Sequence, residues 1–332
     1  MSQYRSTITA TAQHYPTKVV TNDDLAKIVD TSDEWIRTRT GIHERRKVSP
    51  GTGSSDLATK AIEKLLKQKK MSAEEIDLII CATITPDKPI PATACIVQAK
   101  IGAKNAWGFD LNAACSGFLY ALTTADQFIR AGSVKKALVI GVDVMSAIIN
   151  PQDRNTCVIF GDGCGVVLLE REDKASELGI LDYIHHVDGH GEQFLQMPAG
   201  GSVKPASIET VENKEHYAQQ DGKVVFKQAV TAMPDVSLEL LEKNNLKPSD
   251  IDYFVPHQAN MRIIDMCQKK LKLKDEQVIT NIDKFANTTA ATIPTCIAKA
   301  SEEKIFKKGD LIVLASFGAG YTWGASLLRW SY

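Results

Sequence analysis

The 332-residue sequence lacks several features that would assign it to a specialised class of protein. It has no apolar run near the ~18 residues that a membrane-spanning helix needs, and its first residues lack the apolar segment of a secretory signal. Lys plus Arg (39) nearly equal Asp plus Glu (40), so no excess of positive charge would attract nucleic acid or an anionic membrane. We therefore expect a cytoplasmic protein that binds neither.

The sequence also lacks the cysteine spacings of a disulfide framework or a zinc site. Its seven cysteines are scattered, and no two are spaced as CxxC. The histidines of residues 185–190 lie in a glycine-rich stretch that offers no rigid ligand geometry, so we expect no metal. The hydrophobic fraction of 44% excludes a disordered chain and supplies enough side chains for a large core. Most of the cysteines should therefore be buried, reduced thiols.

A weak internal repeat organises the chain. At an offset of 175 positions, residues 57–67 lie over residues 232–242, and Asn112 lies over Asn287. Each copy alternates helical patterns with short apolar strands, which indicates a parallel sheet covered by helices. The strands predicted to be buried on both faces are residues 76–82, 137–142, 253–255 and 311–316.

These patterns predict an α/β protein built from two similar halves, residues 1–172 and 173–332, that pack together. Two independent domains are the alternative, although no linker rich in Pro, Gly or Ser separates the copies. Two segments lie outside the repeat. Residues 22–53 include a capped short helix with Trp35 and Arg39, and residues 185–221 are a glycine-rich excursion. Long insertions of this kind are usually functional.

Cys115 lies where a helix is predicted to begin. The apolar residues after it recur at helical spacing, and Gly132 is a suitable end. Unpaired N–H groups and the helix dipole favour a thiolate at such a position, which predicts a nucleophile. The alternative is a small buried hydrophobic residue. Small neighbours on both sides of Cys115 leave the sulfur approachable and favour the nucleophile.

His257 and Asn287 are the candidate partners of this nucleophile. Each follows the end of a predicted strand, and sites in parallel α/β sheets form at that edge. His257 lies over Ala82 in the repeat, so only one half carries the imidazole. A core histidine and a helix N-cap are the respective alternatives, and local sequence favours capping and catalysis equally for Asn287. The glycine clusters at residues 160–165 and 316–324 fit tight turns, or turns whose N–H groups approach a carbonyl.

Several longer motifs accompany these residues: 31–41 (TSDEWIRTRTG), 160–163 (FGDG), 255–264 (VPHQANMRII), 287–291 (NTTAA) and 317–324 (FGAGYTWG). With them, the chain resembles over nearly its whole length the β-ketoacyl-acyl-carrier-protein synthase III family, the initiating condensing enzymes of type II fatty acid synthesis. The resemblance implies the thiolase fold, in which two duplicated α/β halves form five layers (αβαβα), and a homodimer.

The resemblance also implies the reaction. Cys115 takes an acyl group from acyl-CoA as a thioester, and malonyl-acyl carrier protein then loses carbon dioxide and attacks that acyl group to give a 3-oxoacyl thioester. Acyl-CoA is a substrate in this scheme, and no resident cofactor is expected. His257 and Asn287 stabilise the enolate formed on decarboxylation, and the backbone N–H groups of Cys115 and Ala319 form an oxyanion hole.

Further residues take roles only through the resemblance. The residues that match the family's CoA site are Trp35, Arg39, Arg154 and Asn260. The residues that match its basic patch for the carrier protein are Lys227, Arg262, Lys269 and Lys270. Ile90 replaces an aromatic residue that many relatives insert into the partner subunit's acyl pocket, so a pocket that accepts more than acetyl is expected. Ala319 replaces a glycine of some relatives, which is harmless if only its backbone N–H is needed.

Three alternatives remain at this point. A related condensing enzyme of secondary metabolism would use the same chemistry with a different acyl donor or acceptor. A papain-like hydrolase shares the order Cys, His, Asn, but its Cys-Gly-Ser-Cys-Trp context is missing and the repeat is unexplained by it. Non-catalytic acyl-CoA binding is disfavoured because such relatives tend to lose the cysteine.

Overall fold

Two sheets form the centre of the molecule. The computed structural model describes residues 3–173 and 176–332. The strands are β1 Tyr4–His14, β2 Lys18–Thr21, β3 Glu44–Lys47, β4 Leu78–Ala82, β5 Trp107–Leu111, β6 Lys136–Val144, β7 Asp162–Asp173, β8 Gly179–Val187, β9 Leu195–Gln196, β10 Gln219–Gln220, β11 Tyr253–Pro256, β12 Leu311–Gly318 and β13 Thr322–Arg329. The first sheet has the order β1-β7-β6-β4-β5 and the second has the order β11-β12-β13-β8.

The helices cover both faces of each sheet. They are α1 Asn22–Ala26, α2 Asp33–Thr40, α3 Ser54–Lys69, α4 Thr93–Ile101, α5 Gly117–Arg130, α6 Arg154–Cys157, α7 Ile208–Glu212, α8 Gly222–Lys243, α9 Met261–Leu271, α10 Ile282–Phe285 and α11 Thr292–Glu302. Helices α3 and α4 pack on the outer face of the first sheet, and α8 and α9 pack on the outer face of the second. Helices α5 and α11 lie between the sheets in one continuous core. The layers therefore alternate αβαβα.

The predicted buried strands are confirmed as β4, β6, β11 and β12, with ends that differ by at most two residues. The prediction of parallel sheets is wrong in part, because both sheets are mixed. Strands β4, β5 and β6 are parallel in the first sheet and β11 and β12 in the second, whereas β7, β1, β13 and β8 are antiparallel to their neighbours. Consecutive strands such as β12 and β13 are joined by a tight hairpin, which only antiparallel pairing permits.

The second copy also differs from the first in strand number. The second sheet has four strands where the first has five, and beside β11 only an isolated bridge joins Phe254 to Val278. The sheet change falls between β7 and β8, so the predicted boundary at residues 172 and 173 lies at the end of β7. Residues 174 and 175 beside it lie outside the described part of the chain.

Within the described part of the chain, no helix has both the length and the apolarity to cross a membrane.

Two short 3₁₀ turns lie at equivalent positions of the repeat, one in each half. We call Ala114–Ser116 the N-half turn and Thr289–Ala291 the C-half turn. At equivalent positions Ala114 has φ 48° and Thr289 has φ 53°, a left-handed conformation uncommon for residues other than glycine. In each copy an asparagine side chain accepts a hydrogen bond from that residue, Asn112 from the N–H of Ala114 and Asn287 from the N–H of Thr289.

Each turn packs against a strand of the opposite half, and the close approach requires glycine. A Cβ at Gly141 of β6 would overlap the carbonyl of Ala290, and a Cβ at Gly318 of β12 would lie 2.8 Å from the backbone nitrogen of Cys115. Backbone atoms in turns held by this many hydrogen bonds cannot move aside at low cost. The contact between the two halves is therefore specified by the absence of two side chains.

We expect Gly141→Ala to lower the melting temperature by about 2–10 °C. The added methyl group overpacks the contact with the C-half turn, which costs ~1–3 kcal/mol, and each kcal/mol corresponds to about 2–4 °C for a large domain. Thermal unfolding followed by circular dichroism measures the shift. Gly189→Ala is the matched control, because a Cβ there meets nothing within 4 Å. Equal melting temperatures for Gly141→Ala and the wild type would contradict the tight contact.

Candidate active site

One cavity of about 1010 Å³ brings the three candidate catalytic residues together. Cys115 comes from the N-half turn, His257 from the loop after β11, and Asn287 from the segment before the C-half turn, and all three line this cavity. Both segments outside the repeat also contribute to its wall. Their lining residues are Trp35, Arg39, Thr40, Gln193, Leu195, Gln219, Gln220 and Asp221. The cavity is thus built from both halves and from both insertions.

The N-half turn holds Cys115 by bonds from the second sheet. The hydroxyl of Ser316 donates to the carbonyl of Cys115 at 2.8 Å, and the hydroxyl of Thr322 donates to the carbonyl of Ala113 at 3.0 Å. Ser116 in turn donates to the carbonyl of Thr322 at 3.0 Å. Helix α5 begins directly afterwards at Gly117, close to the start predicted from the apolar spacing. The sulfur of Cys115 therefore has a fixed position, and its side chain is partly exposed at the cavity.

The prediction of a resting thiolate at Cys115 is wrong. Burial raises the pKa of the Cys115 thiol to about 12, and the nearby Asp143 carboxylate raises it further. A backbone N–H acts in the opposite direction, as expected at a helix start, but its effect is smaller. Desolvation therefore outweighs the helix start in setting the pKa of Cys115.

His257 is buried and neutral. Only 1% of its surface is exposed, and burial lowers the pKa of the imidazole to about 3. Its backbone N–H donates to the carbonyl of Ala315 on β12, and its Nδ1 lies 2.7 Å from Oγ1 of Thr292. The imidazole thus combines features of both interpretations of the sequence, because it is a buried side chain with a polar partner and also lines the cavity.

Asn287 is oriented by its own turn. Its Oδ1 accepts from the N–H of Thr289 at 2.8 Å, so the side-chain NH₂ remains as the donor group. Its backbone N–H donates to Ile159, and its carbonyl accepts from Gly161 in the predicted glycine turn. The predicted helix at this position begins later, at Thr292. The amide therefore caps the C-half turn with its oxygen while its nitrogen stays available for a ligand.

Sequence analysis missed Asp143, a buried carboxylate beneath this site. Its Oδ2 accepts from the hydroxyl of Thr289 and from the N–H of Ala290 in the C-half turn. Its Oδ1 accepts from the hydroxyls of Thr83 and Thr85 and from two N–H groups of the same loop. The sequence did offer an indication of this residue, because Asp143 is the one acidic residue in the otherwise apolar segment 137–144. Asp143 ties the first sheet to the turn that orients Asn287.

Of the two residues predicted to form the oxyanion hole, Cys115 lines the cavity and Ala319 does not. Gly318 lies against the backbone nitrogen of Cys115 and lines the cavity. Ala319, the next residue, lies at the end of the same strand but is not among the lining residues. The roles of the Cys115 and Ala319 N–H groups therefore stay predictions.

The residues assigned to the CoA site lie in the wall of the same cavity or beside it. Trp35, Arg39 and Asn260 line it, whereas Arg154 does not. The guanidinium carbons of Arg39 and Arg154 lie 4.9 and 5.2 Å from the centre of the Trp35 ring. A purine stacked between two planes needs about 7 Å. An adenine sandwiched by Trp35 and Arg154 would therefore require Arg154 to move away from Asp30, whose carbonyl it now contacts.

The residues assigned to the carrier-protein surface are exposed on α8 and α9. Arg262 lies at the cavity and stacks over the ring of Phe226, with its guanidinium carbon 5.1 Å from the ring centre. Lys227 follows Phe226 on α8. Lys269 and Lys270 lie at the other end of α9 from Arg262, and Lys270 pairs with Asp235. Sequence analysis missed Lys223, which lines the cavity in the first turn of α8.

Two remaining predictions concern residues away from the cavity wall. Ile90 lies on the loop between β4 and α4 with 85% of its surface exposed, so its predicted entry into a partner's pocket needs a second chain.

His185 and His186 are not in a loop but at the end of β8, where they bond to Thr123 and Glu239 respectively. Within residues 3–173 and 176–332 no three His, Cys, Asp or Glu side chains are grouped to hold a metal ion.

Comparison with known proteins agrees with this geometry. A family described as "3-Oxoacyl-[acyl-carrier-protein (ACP)] synthase III" matches residues 109–189, and its C-terminal part matches residues 241–330. The β-ketoacyl-[acyl-carrier-protein] synthase III of Koribacter versatilis is 50% identical over 99% of this chain and 98% of its own length. The crystal structure of the synthase III from Aquifex aeolicus superposes with a TM-score of 0.90 at 44% identity, covering 98% of this chain and 100% of that chain.

The layered sheets and the cavity that contains Cys115 thus define a condensing enzyme of the thiolase fold, as the resemblance implied. More narrowly, the chain belongs to the β-ketoacyl-acyl-carrier-protein synthase III family.

We expect alkylation of Cys115 by iodoacetamide to accelerate with pH up to at least pH 10, because the raised pKa keeps the thiolate fraction small at neutral pH. Mass spectrometry of the Cys115 peptide gives the rate. The Cys95→Ser variant removes the exposed competing thiol. A rate that levels off below pH 8 would show that the helix start, and not burial, controls the sulfur.

Proposed function

We propose that this protein loads an acyl group from acyl-CoA onto Cys115 and condenses it with malonyl-acyl carrier protein, the initiating step of fatty acid synthesis. One observation carries the proposal: Cys115, His257 and Asn287 line the same cavity as Trp35 and Arg39. An acyl thioester can then place its carbonyl at the sulfur while its nucleotide stays near the surface. Family membership, with relatives 50% identical over nearly the whole chain, supports the same reaction.

The first step is acyl transfer. The Cys115 sulfur attacks the thioester carbon, the bond from that carbon to the CoA sulfur breaks, and the proton of Cys115 passes to CoA. Because the thiol is protonated at rest, this proton must leave as the carbon–sulfur bond forms. Donors held at the oxyanion stabilise the tetrahedral intermediate, and the N–H groups of Cys115 and Ala319 are the candidates.

The second step is decarboxylation and condensation. The carboxylate of the malonyl group leaves as carbon dioxide, and its bonding electrons form an enolate on the thioester. The enolate carbon attacks the acyl group on Cys115, the carbon–sulfur bond breaks, and the sulfur takes a proton from solvent. Neutral His257 and the NH₂ of Asn287 are suited to donate to the enolate oxygen, and one such donor is worth ~3 kcal/mol.

The same proposal assigns the partners. Acyl-CoA is a substrate held by Trp35, Arg39, Arg154 and Asn260, and no resident cofactor takes part. Lys227, Arg262, Lys269 and Lys270 attract the acidic carrier protein. The working form is a cytoplasmic homodimer in which Ile90 borders the partner's acyl pocket and leaves room for starters larger than acetyl. A condensing enzyme of secondary metabolism is not favoured, and the family excludes a papain-like hydrolase.

Cys115→Ala should abolish covalent acylation by acyl-CoA, because no other described side chain takes the place of the sulfur in the cavity. His257→Ala should retain acylation but lose condensation by about 100-fold or more, since only the enolate loses a donor. Intact-protein mass spectrometry reports the adduct, and release of carbon dioxide reports the second step. An adduct on Cys115→Ala, or full condensation by His257→Ala, would contradict these roles. A panel of acyl-CoAs in the same assay identifies the starter.

Arg262→Glu should raise the KM for malonyl-acyl carrier protein by at least about threefold, because a repulsive charge replaces an attractive one at the cavity mouth. The rise should diminish at high salt as the charges are screened. Lys308→Glu is the matched control, since it makes the same charge change before β12, at the end away from Gly318. Equal KM values for the two variants would remove Arg262 from the carrier surface.

A further inference from the structure

The partner of His257 is a threonine that the sequence motifs did not single out. Thr292 is the first residue of α11, and only 1% of its surface is exposed. Its Oγ1 lies 2.7 Å from Nδ1 of His257 and 3.0 Å from the carbonyl oxygen of Thr289. The hydroxyl has one proton and two acceptors within reach, so the destination of this proton determines the tautomer of the imidazole.

The hydrogen bonds of the C-half turn favour His257 as the acceptor. The carbonyl of Thr289 already accepts from the backbone N–H of Thr292, so it is satisfied without the hydroxyl. The distance to Nδ1 is also the shorter of the two. When the hydroxyl donates to Nδ1, the ring proton must reside on Nε2, because the imidazole is neutral. If Nδ1 instead carried the ring proton and donated it to the hydroxyl of Thr292, Nε2 would have a lone pair and no proton.

We propose that Thr292 is a positioning residue that holds His257 as the Nε2–H tautomer and so presents a hydrogen-bond donor to the thioester oxygen. This inference rests on the proposed function, in which the enolate needs donors and not acceptors. Asn287 is oriented by Thr289 in the same turn, so one turn of chain fixes the donors of both side chains.

The test replaces the hydroxyl in the full-length protein. Thr292→Val keeps the shape and removes the donor, and Thr292→Ser keeps the donor. Thr295→Val is the control for loss of a buried hydroxyl, since Thr295 lies on the same helix and bonds to Asn281 and the Thr292 carbonyl, not to His257. The readouts are kcat and KM for decarboxylation of malonyl-CoA, acylation of Cys115 by mass spectrometry, and the ¹⁵N shifts of the His257 ring.

We expect Thr292→Val to lower kcat for decarboxylation by at least about tenfold, with a smaller effect on KM and on acylation. Thr292→Ser should recover most of the rate, and Thr295→Val should stay near wild type. The ¹⁵N shifts should show Nε2–H in the wild type and a mixture of tautomers in Thr292→Val.

Two results would overturn the inference: wild-type decarboxylation by a folded Thr292→Val, or Nδ1–H as the tautomer of the wild type. The second needs no variant, so it decides the question even if Thr292→Val does not fold. Failure of the proposed function is a separate result, in which the wild type itself releases no carbon dioxide from malonyl-CoA.

Discussion

The contact between the two 3₁₀ turns and the strands of the opposite halves is the interaction on which the site depends. Ser316 of the second sheet holds the carbonyl of Cys115, and Asp143 of the first sheet holds Thr289 and Ala290 of the C-half turn. Neither half contains all three candidate residues, because Cys115 comes from one half and His257 and Asn287 from the other.

The same burial that assembles the site sets its protonation states. Removal of water raises the pKa of Cys115 to about 12 and lowers that of His257 to about 3, so both groups are uncharged at rest. A neutral pair cannot form the stable thiolate–imidazolium ion pair of a cysteine protease. This arrangement suits a reaction in which charge develops first on a substrate oxygen and is met there by preformed donors.

The duplication explains why the two 3₁₀ turns have the same backbone conformation. The two copies have since diverged in the side chains that these turns carry. Ala114 and Thr289 share a left-handed backbone conformation, and each is bonded to an asparagine at the equivalent position. Only the N-half turn carries a cysteine, since Ala290 stands at the equivalent position in the other. The C-half turn instead orients the amide of Asn287 and leads directly into Thr292, whose hydroxyl contacts His257.

The sequence by itself determined the repeat, the buried strands, the helix after Cys115 and the three residues that share the cavity, because apolar spacing and residue chemistry are local properties. Tertiary structure alone decided the mixed pairing of the sheets, the contribution of Asp143 and Thr292, and the protonation state of the sulfur. Asp143 and Thr292 are ordinary residues until distant segments fold around them. The predicted thiolate was wrong for the same reason, since a helix start is visible in the sequence whereas desolvation depends on every segment that surrounds the site.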